Sequence, residues 1–132
     1  MVTGFGHIGI GVKDIEKSLE ALCRVLEIPV PPIKELPERQ SKVAMVELGG
    51  VGLEFIQDDS ENGMLGRFTR EKGNGIHHFC MLTDDIEGDI KWMLDRGVKM
   101  MHETPRIGLR DKKIAFISPD ANEGIPIELS EP

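Results

Sequence analysis

The chain has 132 residues, 39% of them hydrophobic, enough for one compact domain with its own core and no need of disulfide staples. Its formal net charge is −7, from 23 acidic against 16 basic residues, which argues against a nucleic-acid backbone or an anionic membrane as the main partner. No apolar run reaches the roughly 18 residues of a membrane span and no basic-then-apolar leader is present. Cys23 and Cys80 have no paired spacing, so both read as reduced thiols of a cytoplasmic protein.

Phe5 to Val12 alternates strictly, with Ile8, Ile10 and Val12 on one side and Phe5, His7, Gly9 and Gly11 on the other, which predicts a strand with two different faces. Asp14 stands at a helix N-cap, and Ile15, Leu19, Leu22, Cys23 and Leu26 follow at helical spacing until Pro29, Pro31 and Pro32 end the pattern. Glu35 to Ser41 is polar and reads as a loop. Val43 to Leu48, Gly49-Gly50 and Val51 to Gln57 predict two strands around a tight hairpin. Residues 58–74 form a polar connector with one short helix around Met64, Leu65 and Phe68. Ile76 to Thr83 is a second strand, followed by a helix capped by Asp85, with Ile86, Ile90, Met93 and Leu94 on one stripe and Gly97 at its C-terminal end. Lys112 to Ile117 and Ile125 to Leu129 complete the strands, and a further short strand near Lys99 to Glu103 would have its counterpart around Val30 to Glu35.

The second half rewrites the first. Phe5-Gly-His-Ile-Gly-Ile-Gly-Val12 before Asp14-Ile15 returns as Ile76-His-His-Phe-Cys-Met-Leu-Thr83 before Asp85-Ile86, so that His7 answers to His78, 71 residues on. The repeat closes with Leu53-Glu54-Phe55 and Ile127-Glu128-Leu129. Two βαβββ modules follow, about 3–57 and 75–131, joined by the connector 58–74 within a single domain spanning 1–132; neither module buries its sheet alone.

Alternation also locates the chemistry. Phe79 and Met81 share the face beneath the helix, which leaves His78, Cys80 and Leu82 on the other; Leu53, Phe55, Ile127 and Leu129 are apolar, which turns Glu54 and Glu128 away from the core. His7, Glu54, His78 and Glu128 therefore hold repeat-equivalent positions on one face. If the sheets curve around a common cavity, with Gly9 and Gly11 leaving it unfilled, two imidazoles and two carboxylates make a mixed N/O site for one divalent ion: Co²⁺, Ni²⁺, Mn²⁺, Fe²⁺ or Zn²⁺. Repeat register and strand parity both select His78 over His77. Cys80, whose repeat counterpart is Gly9, reads as a small cavity-wall residue rather than a nucleophile or soft ligand, and His102, without a repeat partner, as a solvated loop histidine. Arg106, Arg110, Lys112 and Lys113 fit a solvated edge or a phosphate contact equally well.

These residues, with Leu36-Pro-Glu38, Val46-Glu-Leu48-Gly49, Gly75-Ile-His-His78 and Arg106-Ile-Gly108, resemble the vicinal-oxygen-chelate superfamily, the glyoxalase I-like fold, and within it the methylmalonyl-CoA epimerases. The resemblance runs over nearly the whole chain and implies an α+β protein of two tandem βαβββ modules forming a half-open cavity, and a homodimer. It implies metal ligands at His7, Glu54, His78 and Glu128, and an acyl-CoA substrate whose epimers interconvert by proton abstraction through a metal-stabilised enolate. It further implies two bases, Glu128 and, in the loop after the first helix, Glu38. A glyoxalase I-like lyase acting on a glutathione hemithioacetal and a non-catalytic binding module of the same fold are the alternatives. The chain departs from the epimerase pattern at Arg39-Gln40-Ser41, at Ala21-Leu22-Cys23 in the first helix and at Ser118-Pro119-Asp120.

Overall fold

The computed structural model describes residues Met1 to Pro132 and has eight strands and three α-helices, an α+β protein. In chain order they are β1 (Val2–Gly11), α1 (Ile15–Leu26), β2 (Lys34–Leu36), β3 (Ser41–Leu48), β4 (Val51–Asp58), α2 (Met64–Lys72), β5 (Gly75–Thr83), α3 (Ile86–Asp95), β6 (Arg106–Ile107), β7 (Lys113–Ile117) and β8 (Ile127–Ser130). Two βαβββ runs are present, β1 to β4 with α1 and β5 to β8 with α3. The residues cluster in two compact units, one from Ile8 to His77 and the other combining Met1–His7 with His78–Pro132.

In the Ile8–His77 unit, α1 begins where the Asp14 carboxylate accepts the Lys17 N–H at 3.1 Å. It ends at Glu27, whose φ of 55° turns the chain left-handed so that the Glu27 and Ile28 N–H groups return to the carbonyls of Arg24 and Cys23. The helix therefore stops two residues before Pro29, closed by its own backbone rather than by the prolines. Its buried stripe, Ile15 and Leu19, packs against Val12, Ala44, Val46 and Phe55. Strands β3 and β4 pair antiparallel from Ser41↔Asp58 to Leu48↔Val51, and the two-residue turn between them has φ of 57° at Gly49 and 86° at Gly50. Positive φ at both positions is the backbone that suits the twist of a hairpin, and glycine adopts it without strain. The stretch Glu35 to Ser41, expected as a loop, is more ordered than that. Because β3 starts as early as Ser41, its edge is available to Lys34–Leu36, which pairs with it, and Pro37–Arg39 makes one 3-10 turn.

The connector carries α2, as the sequence predicts, and Asp58 anchors it by accepting the Ser60 N–H and the first-turn Gly66 N–H, both at 3.0 Å. Gly11 is not a gap-maker. A Cβ there would meet Phe68 and Thr69 at 3.1 Å and Leu65 at 3.2 Å, so its missing side chain is what lets α2 approach β1.

In the other unit, α3 starts at Asp85, which accepts the Gly88 N–H at 3.0 Å, and Gly97, with φ of 74°, follows its last turn. Ile86 and Ile90 pack with Met100, Ala115, Ile117 and Leu129. Strand β8 is central to this packing: it runs parallel to β5 and antiparallel to β7. The strand expected near Lys99 to Glu103 is reduced to a single bridge, Met100↔Ile117, and the two-residue β6 pairs with β7 farther on, at Arg106↔Ile114. The physical reason is local. The Phe116 N–H, which would have extended the ladder, donates instead to the ring Nδ1 of His102 at 3.0 Å.

Full burial of an aliphatic side chain and a single cap differ in energy, which gives a test of this packing. Leu19→Ala, at a fully buried position, should lower stability by about 2–5 kcal/mol. Asp14→Ala, which removes one cap bond, should cost about 1 kcal/mol. Urea denaturation of both variants measures the difference, and equal losses would mean that α1 does not anchor its core through Leu19.

Candidate metal centre

Register partners in a sheet project to the same side, and the β5–β8–β7 register builds a row across three strands: Cys80 opposite Glu128, and Glu128 opposite Phe116. The neighbouring row, Met81, Leu129 and Ala115, goes to the opposite face and packs in the α3 core. His78 precedes Cys80 by two residues and shares its face. The side chains of this row are buried: His78 is 2% exposed, Cys80 0% and Glu128 7%. His7, from the Met1–His7 part of β1, joins them at 4% exposure.

The three predicted ligands of this unit converge on one point. The Glu128 Oε2 lies 3.0 Å from His78 Nε2 and 3.9 Å from His7 Nε2, and the two imidazole rings meet edge to face with centroids 5.7 Å apart. Phe116 packs edge-on against His78, centroids 5.0 Å apart, and holds that ring from the other side. Burial pushes the His7 imidazole down to about 4; Glu128 opposes this, while His78 and the Arg110 guanidinium add to it. A neutral imidazole has a lone pair to give, which is the form a metal ion requires.

The donor set fits a divalent ion. An ion with nitrogen and oxygen ligands at about 2.0–2.2 Å separates neighbouring donors by about 2.8–3.1 Å in an octahedral shell and about 3.3–3.6 Å in a tetrahedral one, and the 3.0 Å between His78 and Glu128 falls in the first range. Two imidazoles and a carboxylate suit borderline ions of the first transition row. When bound, such an ion would supply positive charge where a substrate oxygen becomes negative.

The remaining predicted residues are described each within its own unit. Glu54 belongs to the Ile8–His77 unit, on β4, where Leu53 and Phe55 pack into the core and Glu54 takes the other face, still buried at 5% exposure. Glu38 is exposed on the 3-10 turn Pro37–Arg39. His77 is half-buried, with its ring edge-on to Phe68, centroids 5.0 Å apart, in the Ile8–His77 unit. His102 is not a solvated loop residue: it is half-buried, accepts from Phe116, lies 2.9 Å from Arg106 Nη1 and packs edge-on to the Phe116 ring. It buttresses the phenyl group that holds His78, and burial lowers its pKa. Of the basic cluster, Lys113 is paired with Glu87 at 2.6 Å, while Arg106, Arg110 and Lys112 are exposed. Cys80 is closer to the donors than a wall residue need be, with Sγ 3.8 Å from Glu128 Oε1. The repeat could not reveal it, since its counterpart is a glycine.

Residues 6–116 match the description of the Glyoxalase/Bleomycin resistance protein/Dioxygenase superfamily. The chain belongs to this superfamily. An uncharacterized protein of Bacillus subtilis (strain 168), YqjC, is 32% identical over 96% of this chain and 90% of its own length. The mitochondrial methylmalonyl-CoA epimerase of Bos taurus is 27% identical over 95% of this chain and 72% of its own length. Among solved structures, a variant of Streptomyces coelicolor methylmalonyl-CoA epimerase in complex with 2-nitronate-propionyl-CoA superposes with a TM-score of 0.87 at 25% identity, covering 99% of this chain and 95% of that one. Within the superfamily fold the chain thus presents a buried His7–His78–Glu128 cluster, and no helix is long and apolar enough to cross a membrane.

The depressed His7 pKa has a consequence for stability with its sign fixed. In metal-free protein His7 stays neutral when folded down to about pH 4, whereas the unfolded chain binds the proton below about 6.5, so acidification in that window favours unfolding. His7→Gln should therefore lose about 2 kcal/mol less stability than the wild type between pH 7 and pH 5. Urea denaturation at the two pH values measures it; identical losses would show that folding does not depress the His7 pKa.

Proposed function

We propose that this protein is a divalent-metal-dependent epimerase that interconverts the two epimers of methylmalonyl-CoA. The observation that carries the reading is the buried cluster of two imidazoles and a carboxylate, in a chain aligned over 95% of its length with one methylmalonyl-CoA epimerase and over 99% with another. The substrate class fits that chemistry. The carbon between a thioester and a carboxylate carries an acidic proton, and its removal spreads negative charge onto flanking oxygens.

His7 and His78 are the nitrogen donors, packed edge to face on each other, with Phe116 against the His78 ring. A divalent ion held by these residues would supply a Lewis acid for the developing negative charge. Glu128 turns Oε2 towards the imidazoles and Oε1 towards the Cys80 thiol, and its carboxylate is the base that accepts a proton from carbon. Exchange of configuration needs a second base on the opposite face of the planar intermediate, and Glu38 is assigned to it from the resemblance. Glu54 is assigned as the fourth ligand from repeat register. A homodimer acting on an acyl-CoA completes the reading.

Proton NMR of methylmalonyl-CoA in deuterated buffer with cobalt-loaded protein tests it. Metal-dependent loss of the signal of the proton on the methyl-bearing carbon is the expected result. No exchange with metal bound would overturn the epimerase reading and direct the search to glutathione hemithioacetals.

Two sets of substitutions apportion the roles. His78→Ala and Glu54→Ala should weaken metal binding by at least about tenfold, while His77→Ala leaves it nearly unchanged, all by calorimetric titration. Glu38→Gln should keep the metal and reduce epimerisation by about 100-fold or more. Unchanged turnover would remove Glu38 from the mechanism.

A further inference from the structure

The Cys80 thiol is the one side chain of the buried cluster that the proposed reaction does not use. It is 0% exposed, and its Sγ points along the sheet row to Glu128 Oε1 at 3.8 Å. Gly6 makes room for it on β1. A Cβ at that position would meet the sulfur at 3.0 Å and the Cys80 carbonyl at 3.2 Å, so the absence of a side chain holds open the place the thiol occupies. The ligand atoms of His7, Cys80 and Glu128 all lie within 4.8 Å of one another. A tetrahedral ion with sulfur at about 2.3 Å and oxygen at about 2.1 Å separates those two ligands by about 3.6 Å. The spacing found for Cys80 and Glu128 is close to that value without rearrangement of the strands.

We propose that Cys80 is a sulfur ligand for thiophilic divalent ions, giving the site two coordination modes. Borderline and hard ions such as Mn²⁺ take the nitrogen and oxygen donors of His7, His78 and Glu128. A soft ion such as Cd²⁺ takes His7, Cys80 and Glu128, exchanging the His78 imidazole for the Cys80 sulfur, because thiolate binds soft cations better than imidazole does. As the sulfur–metal bond forms, the S–H bond breaks and its proton passes to solvent; no electrons change hands. The inference rests on the reading of the cluster as a metal centre and not on the identity of the substrate.

The test uses the full-length metal-free protein titrated separately with Cd²⁺ and Mn²⁺, with sulfur-to-cadmium charge-transfer absorption in the ultraviolet as the reporter. Cys23→Ser removes the only other cysteine, which lies buried in α1. The band should saturate at one Cd²⁺ per chain in the wild type and in Cys23→Ser. Cys80→Ser should lose the band and bind Cd²⁺ about tenfold or more weakly, with Mn²⁺ affinity changed by less than about threefold. Cys80→Ala, checked by circular dichroism, serves if the serine variant does not fold. A band that persists without Cys80, a band that disappears without Cys23, or equal weakening of both ions would overturn the inference. Mn²⁺ binding to the wild type with no cadmium band overturns this inference alone; binding of neither ion overturns the metal-centre reading along with it.

Discussion

The parallel pairing of β5 with β8, with Cys80 opposite Glu128 and Met81 opposite Leu129, is the constraint on which this half of the molecule depends. A β-strand has only two faces, so one register decides at once which residues enter the α3 core and which enter the donor cluster. Slipping β8 by one residue would bring Glu128 into the apolar packing of Ile86, Ile90 and Ala115 and turn Leu129 towards the imidazoles. The register is therefore held from the core side, where Leu129 is 1% exposed and Ile86 1%, and the cluster is its other face.

Keeping that cluster dry has a cost. A buried carboxylate beside two imidazoles loses its hydration, and burial leaves His7 neutral down to about pH 4. A cation placed among such groups relieves that cost, since each donor gains a partner stronger than the water it gave up. The same burial that makes the unliganded cluster unfavourable would favour a cation placed in it. Phe116 and His102 continue the logic outward. The phenyl ring keeps water from His78, and His102 anchors the strand that carries the phenyl ring by accepting its backbone N–H.

Much of this was written in the sequence because it follows from periodicity. The 71-residue echo of His7 in His78, the parity that opposes Glu128 to Leu129 and the caps Asp14 and Asp85 need only local rules, and the structure places those residues accordingly. What could not be read depended on contacts between distant segments. The short strand expected around Val30 to Glu35 forms instead at Lys34–Leu36, where it pairs with the start of β3, and the segment around His102 forms none because a side chain captures the Phe116 N–H. Gly11 looked like an opening in a cavity wall, yet a side chain there would crowd Leu65, Phe68 and Thr69 of α2. Parity put Cys80 on the donor face and its glycine counterpart gave the wall-residue reading; its closeness to Glu128 follows from the β5–β8 register, which joins distant segments.

The central claim is that His7, His78 and Glu128 hold one divalent ion. A crystal of the protein loaded with cobalt, measured on both sides of the cobalt absorption edge, tests it most directly. The account predicts one anomalous peak per chain, with His7 Nε2, His78 Nε2 and a Glu128 oxygen at about 2.0–2.2 Å from it. A peak held instead by His77 or His102, or the absence of any ordered ion among these three side chains, would contradict it.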